Sequence, residues 1–293
     1  GKSITGFSLM NLLSRPGFID NGKILFEGDD IVKMSETQMR GIRGNRMAMI
    51  FQEPSTCLDP SEQVGNQLKE AIPSKYFTGS WWQRWNWRTK GAIALLHKVG
   101  IKDHTRIMKC YPYELTDGEC QKVMIAMAIA NKPRILIADE PTDELDAVTQ
   151  SQIFRLLSRM NQVNNTTILL ISHDLITLTQ WVDSITVMYC GQSVESACRK
   201  DILEAPKHPY TNALLRAMPD FSKDGIPHKA KLESLPGTIP PLQHLPIGCR
   251  LGPRCPYAQR KCVQVPEGRK VKDHKFSCHF PLNFEEKKND CAS

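Results

Sequence analysis

"RILIADEP" (residues 134–141) is a short apolar run that closes on two acids, Asp139 and Glu140. It has strand length, and its branched side chains suit a strand buried on both faces. "TTILLISHD" (166–174) repeats the pattern and closes on polar residues that include His173. "MAMIFQEP" (47–54) is a third apolar strand, with Gln52 in the polar turn at its end. Between these runs the spacing is helical, over most of residues 60–132 and in "QSQIFRLLSRM" (150–160). Strands alternating with helices specify an α/β fold around a parallel sheet. The carboxyl ends of such strands are where ligands bind, so Gln52, Asp139, Glu140 and His173 are candidate site residues.

Working outward, residues 4–13 read as a helix behind the turn Gly1-Lys2-Ser3, and "GKILFEGDDIV" (22–32) reads as a strand and turn. "SITVMYCGQSVES" (184–196) reads as a closing strand pair, and no internal repeat is visible. After about residue 205 Pro and Gly become frequent and periodicity weakens, which marks an appended domain or extension. The 293 residues can form one large domain or two smaller ones with a proper core. A composition of 41% hydrophobic and 24% charged residues is that of an ordinary globular chain rather than a disordered one. The longest apolar runs, "VMIAMAIA" (123–130) and "TILLI" (167–171), fall far short of a membrane span. The net charge of +7 allows nucleic acid or a lipid surface as a partner, and equally describes a mildly basic soluble protein.

A fourth element is "LTDGECQKVMIAMAIA" (115–130), a Gly-containing turn that leads into a helix, where backbone N–H groups suit a phosphate. A magnesium–nucleotide site needs one carboxylate near the metal and one to orient or deprotonate water, and Asp139 and Glu140 supply both. Each element alone is weak. The order Gly-Lys-Ser, Gln, glycine turn, Asp-Glu, His across residues 1–205 resembles the nucleotide-binding subunit of ATP-binding-cassette (ABC) transporters. The resemblance implies an α/β P-loop NTPase core of ABC type over 1–205 with a helical subdomain at about 60–132, and a small cysteine-containing extension over 206–293. It makes Gly1-Lys2-Ser3 the end of a Walker A loop, with the N-terminal strands and the upstream glycines outside this chain. The expectation is that the chain as it stands binds ATP poorly, because the phosphate cradle needs several consecutive N–H groups.

The implied roles follow the motifs. Lys2 binds the β- and γ-phosphates and Ser3 ligates Mg²⁺. Gln52 senses the γ-phosphate and metal, Asp139 supports Mg²⁺ through water, Glu140 is the general base, and His173 contacts the γ-phosphate. In "DEPTDELD", Asp146 occupies the loop that meets the partner subunit. The alternative is that Glu140 and His173 are ordinary polar residues at strand ends. One departure stands out: the family's Leu-Ser-Gly-Gly-Gln reads here Leu115-Thr116-Asp117-Gly118-Glu119. Thr116 keeps the hydroxyl and Gly118 a glycine, while Asp117 and Glu119 add carboxylates beside a triphosphate site. In the family this turn acts on ATP held by the other subunit. The expected assembly is therefore an unequal heterodimer in which the site completed by this chain's turn is the weaker.

"HPYTNALLRAMP" (208–219), "LPGTIPPL" (235–242) and "GCRLGPRCPYAQRKC" (248–262) resemble the extension of oligopeptide and dipeptide importer ATPases. Within that branch the unusual turn, "WWQRWNW" (81–87) and the cysteine stretch resemble a peptide-transport system associated with sensitivity to antimicrobial peptides. The implied partners are a second ATPase, two membrane permeases and, indirectly, a periplasmic peptide-binding protein. The implied location is the cytoplasmic face of a bacterial inner membrane, and no nucleic-acid partner is expected. Ten cysteines are present, and Cys249, Cys255, Cys262 and Cys278 follow Cys-x5-Cys-x6-Cys-x15-Cys. Four thiolates can hold Zn²⁺ or an iron–sulfur cluster, or remain plain thiols, and the branch implies [4Fe–4S]. "WWQRWNW" suits either docking to permeases or lipid headgroups, or internal packing; nucleic acid is the remaining use of such a stretch. Two further readings stay open: a scaffolding subunit with little turnover, and the same motor acting on another cargo such as a polyamine.

Overall fold

The computed structural model describes residues 1–74, 77, 80, 86–143, 145–217 and 235–284. They form two compact units, Ser3–His173 and the residues from Asp174 onward, with Gly1–Lys2 grouped in the second. Trp81, Trp82, Arg84 and Trp85 of the tryptophan-rich stretch lie outside the described residues.

The first unit opens with α1 (Lys2–Leu9) and a two-stranded hairpin, β1 (Leu25–Phe26) and β2 (Asp29–Asp30). Glu27 and Gly28 turn the hairpin at φ 53° and 96°, the paired left-handed geometry that matches strand twist. Next come α2 (Glu36–Ile42), β3 (Met47–Ile50), α3 (Pro54–Cys57), α4 (Val64–Ala71), α5 (Trp87–Lys98), α6 (His104–Ile107) and α7 (Asp117–Ile129). The unit closes with β4 (Ile135–Asp139), α8 (Ala147–Asn164) and β5 (Thr167–Ile171). β3, β4 and β5 form a parallel sheet with β4 central, Met49 paired to Ile137 and Ile137 to Leu169. Leu136, Ile137 and Ala138 are fully buried, as the continuous apolar run requires.

α1 lies against this sheet at Gly6, where a Cβ would stand 3.3 Å from side chains of Met49, Ile137 and Ile171, one from each strand. The helix is shorter than the 4–13 reading. Asn11 takes a left-handed conformation (φ 51°), and Leu12 N–H returns to the Phe7 carbonyl at 2.9 Å. Arg43 donates to the Met10 and Asn11 carbonyls, both at 2.8 Å, and so satisfies the helix end. β5 also differs from its reading as a buried strand: Thr167 is exposed and Leu169 is 37% exposed. β5 is an outer strand of the sheet as described, and of its five residues only Ile171 is buried.

The helical stretch packs on α7, whose residues Cys120, Gln121, Val123, Met124, Ile125, Ala126 and Ile129 are buried. A single apolar stripe does not describe this helix; it is covered on several sides by α3, α4 and α5. The Trp87 ring packs tilted against that of Phe77 with centroids 5.4 Å apart, and Arg88 lies 5.7 Å from the Trp87 ring centroid while donating to Ser74.

The second unit contains α9 (Leu175–Trp181), β6 (Ser184–Tyr189), β7 (Gln192–Cys198), α10 (Arg199–Glu204), α11 (Pro209–Arg216), β8 (Arg269–Val271) and β9 (His274–Phe276). The expected strand pair is β6–β7, turned at Cys190 and Gly191, both at positive φ (45° and 78°). The four-stranded sheet runs β6-β7-β9-β8. Glu195 on β7 is buried and accepts hydrogen bonds from Lys207 N–H (2.6 Å), His208 N–H (3.0 Å) and His274 Nε2 (2.6 Å). One carboxylate on β7 thus binds the start of α11 and its neighbour strand β9, with both oxygens satisfied as burial requires. Among the described residues no helix is long and apolar enough to cross a membrane, and nine cysteines are free thiols.

Replacing Ile137, fully buried at the centre of the sheet and within reach of α1, with Ala is expected to cost about 2–5 kcal/mol. Urea unfolding followed by circular dichroism measures it; a loss under about 0.5 kcal/mol contradicts this packing.

Candidate functional site

The strand ends deliver three of the expected residues to one place. Glu140 follows β4 directly, at φ 47°, an unusual left-handed position for a glutamate. Its N–H donates to the Ile171 carbonyl at 2.9 Å, so the β4–β5 ladder holds it there. Its carboxylate is 13% exposed and engaged on both oxygens. Gln52 Nε2 donates to Oε2 at 2.6 Å, and His173 Nδ1 lies 3.0 Å from Oε1. Asp143, which sequence reading did not single out, lies 3.9 Å from the same Nδ1 through Oδ2. One ligand atom each from Glu140, Asp143 and His173 falls within 4.8 Å of the other two. The only signal for Asp143 was its acid three residues after Glu140 in "DEPTDELD".

This arrangement can hold a base, orient a water and present an imidazole to an anion. Asp139 ends β4 and is buried at 1% exposure. Gln52, Asp139 and Ser3 each carry an oxygen of the kind a hard cation such as Mg²⁺ takes. Lys2 and Ser3 open α1, Lys2 exposed and Ser3 half-buried, while Gly1 precedes it.

Thr116, Gly118 and Asp146 sit at helix starts. Thr116 caps α7: its Oγ1 accepts Glu119 N–H at 3.2 Å, and Glu119 Oε2 accepts Thr116 N–H at 3.0 Å. That reciprocal pair is a capping box. Glu119 also pairs with Arg106, which keeps the guanidinium more firmly charged than usual. Of the two carboxylates expected to repel a triphosphate, one therefore has a cation beside it, and Asp117 is exposed. Gln121, buried on α7, donates to the Pro141 carbonyl at 2.6 Å and ties this helix to the residue after Glu140. Asp146 caps α8, accepting from Val148 N–H (3.1 Å), Thr149 N–H (3.1 Å) and Thr149 Oγ1 (2.6 Å). These bonds, the Thr149 hydroxyl first, hold its carboxyl below the usual carboxylate range.

In the second unit Cys249, Cys255, Cys262 and Cys278 line one pocket together with Leu251, Tyr257 and Phe280. Burial pushes the Cys278 thiol up to about 11, and the other three sulfurs add in the same direction. Cys255 is raised likewise, first by burial and then by Cys249 and Cys262. Among the described residues no three of these sulfurs approach within 4.8 Å of one another.

Residues 1–143 match the family described as ABC transporter, and residues 194–262 match the oligopeptide/dipeptide transporter C-terminal region. The chain is 55% identical over 285 residues to the peptide transport system ATP-binding protein SapD of Salmonella typhimurium, covering 97% of this chain and 86% of that protein. It is 44% identical over 285 residues to the dipeptide transport ATP-binding protein DppD of Escherichia coli, covering 97% and 84%. The chain belongs to the ABC-transporter ATP-binding subunits. Its fold is that of their cassettes: a dimeric bacterial ABC transporter cassette, MJ0796, superposes with a TM-score of 0.58 at 22% identity, over 67% of this chain and 79% of that one. As an ABC ATPase it uses ATP and Mg²⁺ and couples hydrolysis to transport.

Asp146→Ala is expected to lower the thermal midpoint at pH 7 by removing the α8 cap. Because the folded carboxyl titrates below its unfolded value near 3.9, its stabilisation is present above about pH 4 and is lost as pH falls through the folded value. The difference between wild type and variant should therefore shrink below about pH 4, as thermal melts across pH will report.

Proposed function

We propose that this chain hydrolyses ATP to energise peptide uptake, as one of two unlike ATPase subunits on the cytoplasmic face of a bacterial inner membrane. Two permeases form the path, and a periplasmic binding protein supplies the peptide. The names of its relatives and the match of its C-terminal region to peptide transporters support that cargo. A cargo that includes antimicrobial peptides is the finer form of the same reading. The proposed layout is a cassette over residues 1–205, with its helical subdomain at about 60–132, and an extension over 206–293.

The observation that carries the reading is the Glu140 carboxylate held between Gln52 and His173. Glu140 takes the proton of the attacking water as that water's oxygen bonds to the γ-phosphorus and the bond to the β-phosphate oxygen breaks. His173, whose Nδ1 lies 3.0 Å from Glu140 Oε1, contacts the γ-phosphate in this reading. Gly1, Lys2 and Ser3 hold the phosphates; Ser3, Gln52 and Asp139 hold Mg²⁺, which offsets phosphate charge when bound. Thr116 and Gly118 meet ATP held by the partner ATPase, and Asp146 keeps the start of α8 ordered at that interface. The carboxylate of Asp117 weakens the site completed here relative to the one built on Glu140.

In the extension the proposed role of the four cysteines is to hold a [4Fe–4S] cluster, a reading supported by an all-sulfur donor set in one pocket. Such a cluster would staple a loop-rich region rather than act on substrate.

Glu140→Gln in the assembled transporter is expected to retain Mg-ATP while its hydrolysis falls about 10²- to 10⁴-fold and transport stops. Transport that persists would replace the motor by a scaffolding subunit. Anaerobically purified protein should yield iron and acid-labile sulfide, and Cys255→Ser should lose both; a wild type with neither leaves the four cysteines as plain thiols.

A further inference from the structure

The signature turn carries two acids where the family pattern has none, and the fold supplies a cation to one of them. Glu119 is the third residue of α7, and its two oxygens do separate jobs. Oε2 closes the capping box on Thr116 N–H at 3.0 Å, and Oε1 accepts from the Arg106 guanidinium. A glutamine would close the same box, so the cap does not require the charge. The charge instead has a dedicated partner. Arg106 comes from α6, thirteen residues earlier, and its placement is fixed locally. Asp103 Oδ1 accepts Arg106 N–H at 3.1 Å to cap α6, and Asp103 Oδ2 lies 3.7 Å from Arg106 Nε. The Glu119 side chain is 25% exposed and that of Arg106 45%, so solvent screens the pair without erasing its field.

We propose that Arg106 is a positioning residue for nucleotide in trans: by neutralising Glu119 it lets the Leu115–Glu119 turn receive the triphosphate held by the partner ATPase. The proposal rests on the reading that this turn closes over the partner's ATP. It explains how a turn with an acid at its last position can serve an anion. Without Arg106, a full carboxylate would sit at the helix start beside Thr116 and Gly118, where a phosphate is to bind. At such separations an unscreened like charge is worth about tenfold in affinity. Asp117 remains as the residual weakness of the site, so the two ATP sites stay unequal.

The test uses the complete transporter with the catalytic glutamate of the partner ATPase changed to glutamine, so that ATP at that site is held and not turned over. Labelled Mg-ATP is titrated against four forms: parent, Arg106→Ala, Glu119→Gln and the double variant, with thermal midpoints recorded alongside. Arg106→Ala should weaken binding at the partner's site about tenfold. Glu119→Gln should tighten it, because it keeps the capping box and leaves the guanidinium for phosphate. The double variant, neutral at both positions, should return to within about twofold of the parent. A double variant as weak as Arg106→Ala overturns the proposal and makes Arg106 a packing residue. Unchanged binding by Arg106→Ala overturns it as well. A separate Gly118→Trp variant tests the underlying reading by blocking the turn sterically. If the partner's site binds Mg-ATP as before, this turn does not meet that nucleotide, and the reading falls independently of the Arg106 result.

Discussion

The parallel pairing of β4 with β3 and β5 is the constraint on which the first unit depends. With Met49 beside Ile137 and Ile137 beside Leu169, the three strands end at one level. Gln52, Glu140 and His173 then fall together, although 88 residues separate the first from the second and 33 the second from the third. A one-residue slip of β4 would turn its side chains to opposite faces and carry Glu140 away from both partners. The buried run Leu136–Ala138 and the close seat of α1 at Gly6 oppose such a slip. Core packing and the geometry of the Gln52–Glu140–His173 cluster are thus one requirement.

Charge at the helix starts follows a second rule. The acids at the N-termini of α7 and α8 look from their positions like ligands or obstacles for nucleotide. In the fold they are first of all caps: Glu119 with Thr116, and Asp146 with Val148 and Thr149. A helix start leaves N–H groups that need either a side chain or a ligand, and here side chains meet them. Arg106 and Gln121 show how the surroundings adjust, the first by facing the Glu119 charge and the second by fixing α7 to Pro141.

The second unit has short elements and few long apolar runs, so a buried polar centre does much of the joining. Glu195 draws two backbone N–H groups from residues 207–208 and the His274 ring onto β7. Burial keeps His208 neutral, its imidazole held down to about 4, and its Nδ1 caps α11 by accepting Tyr210 N–H at 3.1 Å. Cys249, Cys255, Cys262 and Cys278 line one pocket beside His208.

The sequence by itself determined the strands 47–50, 135–139 and 167–171, their parallel arrangement and the strand-end residues Gln52, Glu140 and His173, because continuous apolar runs and their polar ends are local signals. It also determined the β6–β7 pair, whose Cys-Gly turn sits between two alternating runs. Only the tertiary structure decided the rest. The early end of α1 depends on Arg43, the half-exposure of β5 on its place at the edge of the sheet, and Asp143 on its approach to His173. The Arg106–Glu119 pair and the Glu195 centre join residues 13 and 79 positions apart. Such partners are chosen by where the chain folds back, and no periodicity along the sequence records that choice.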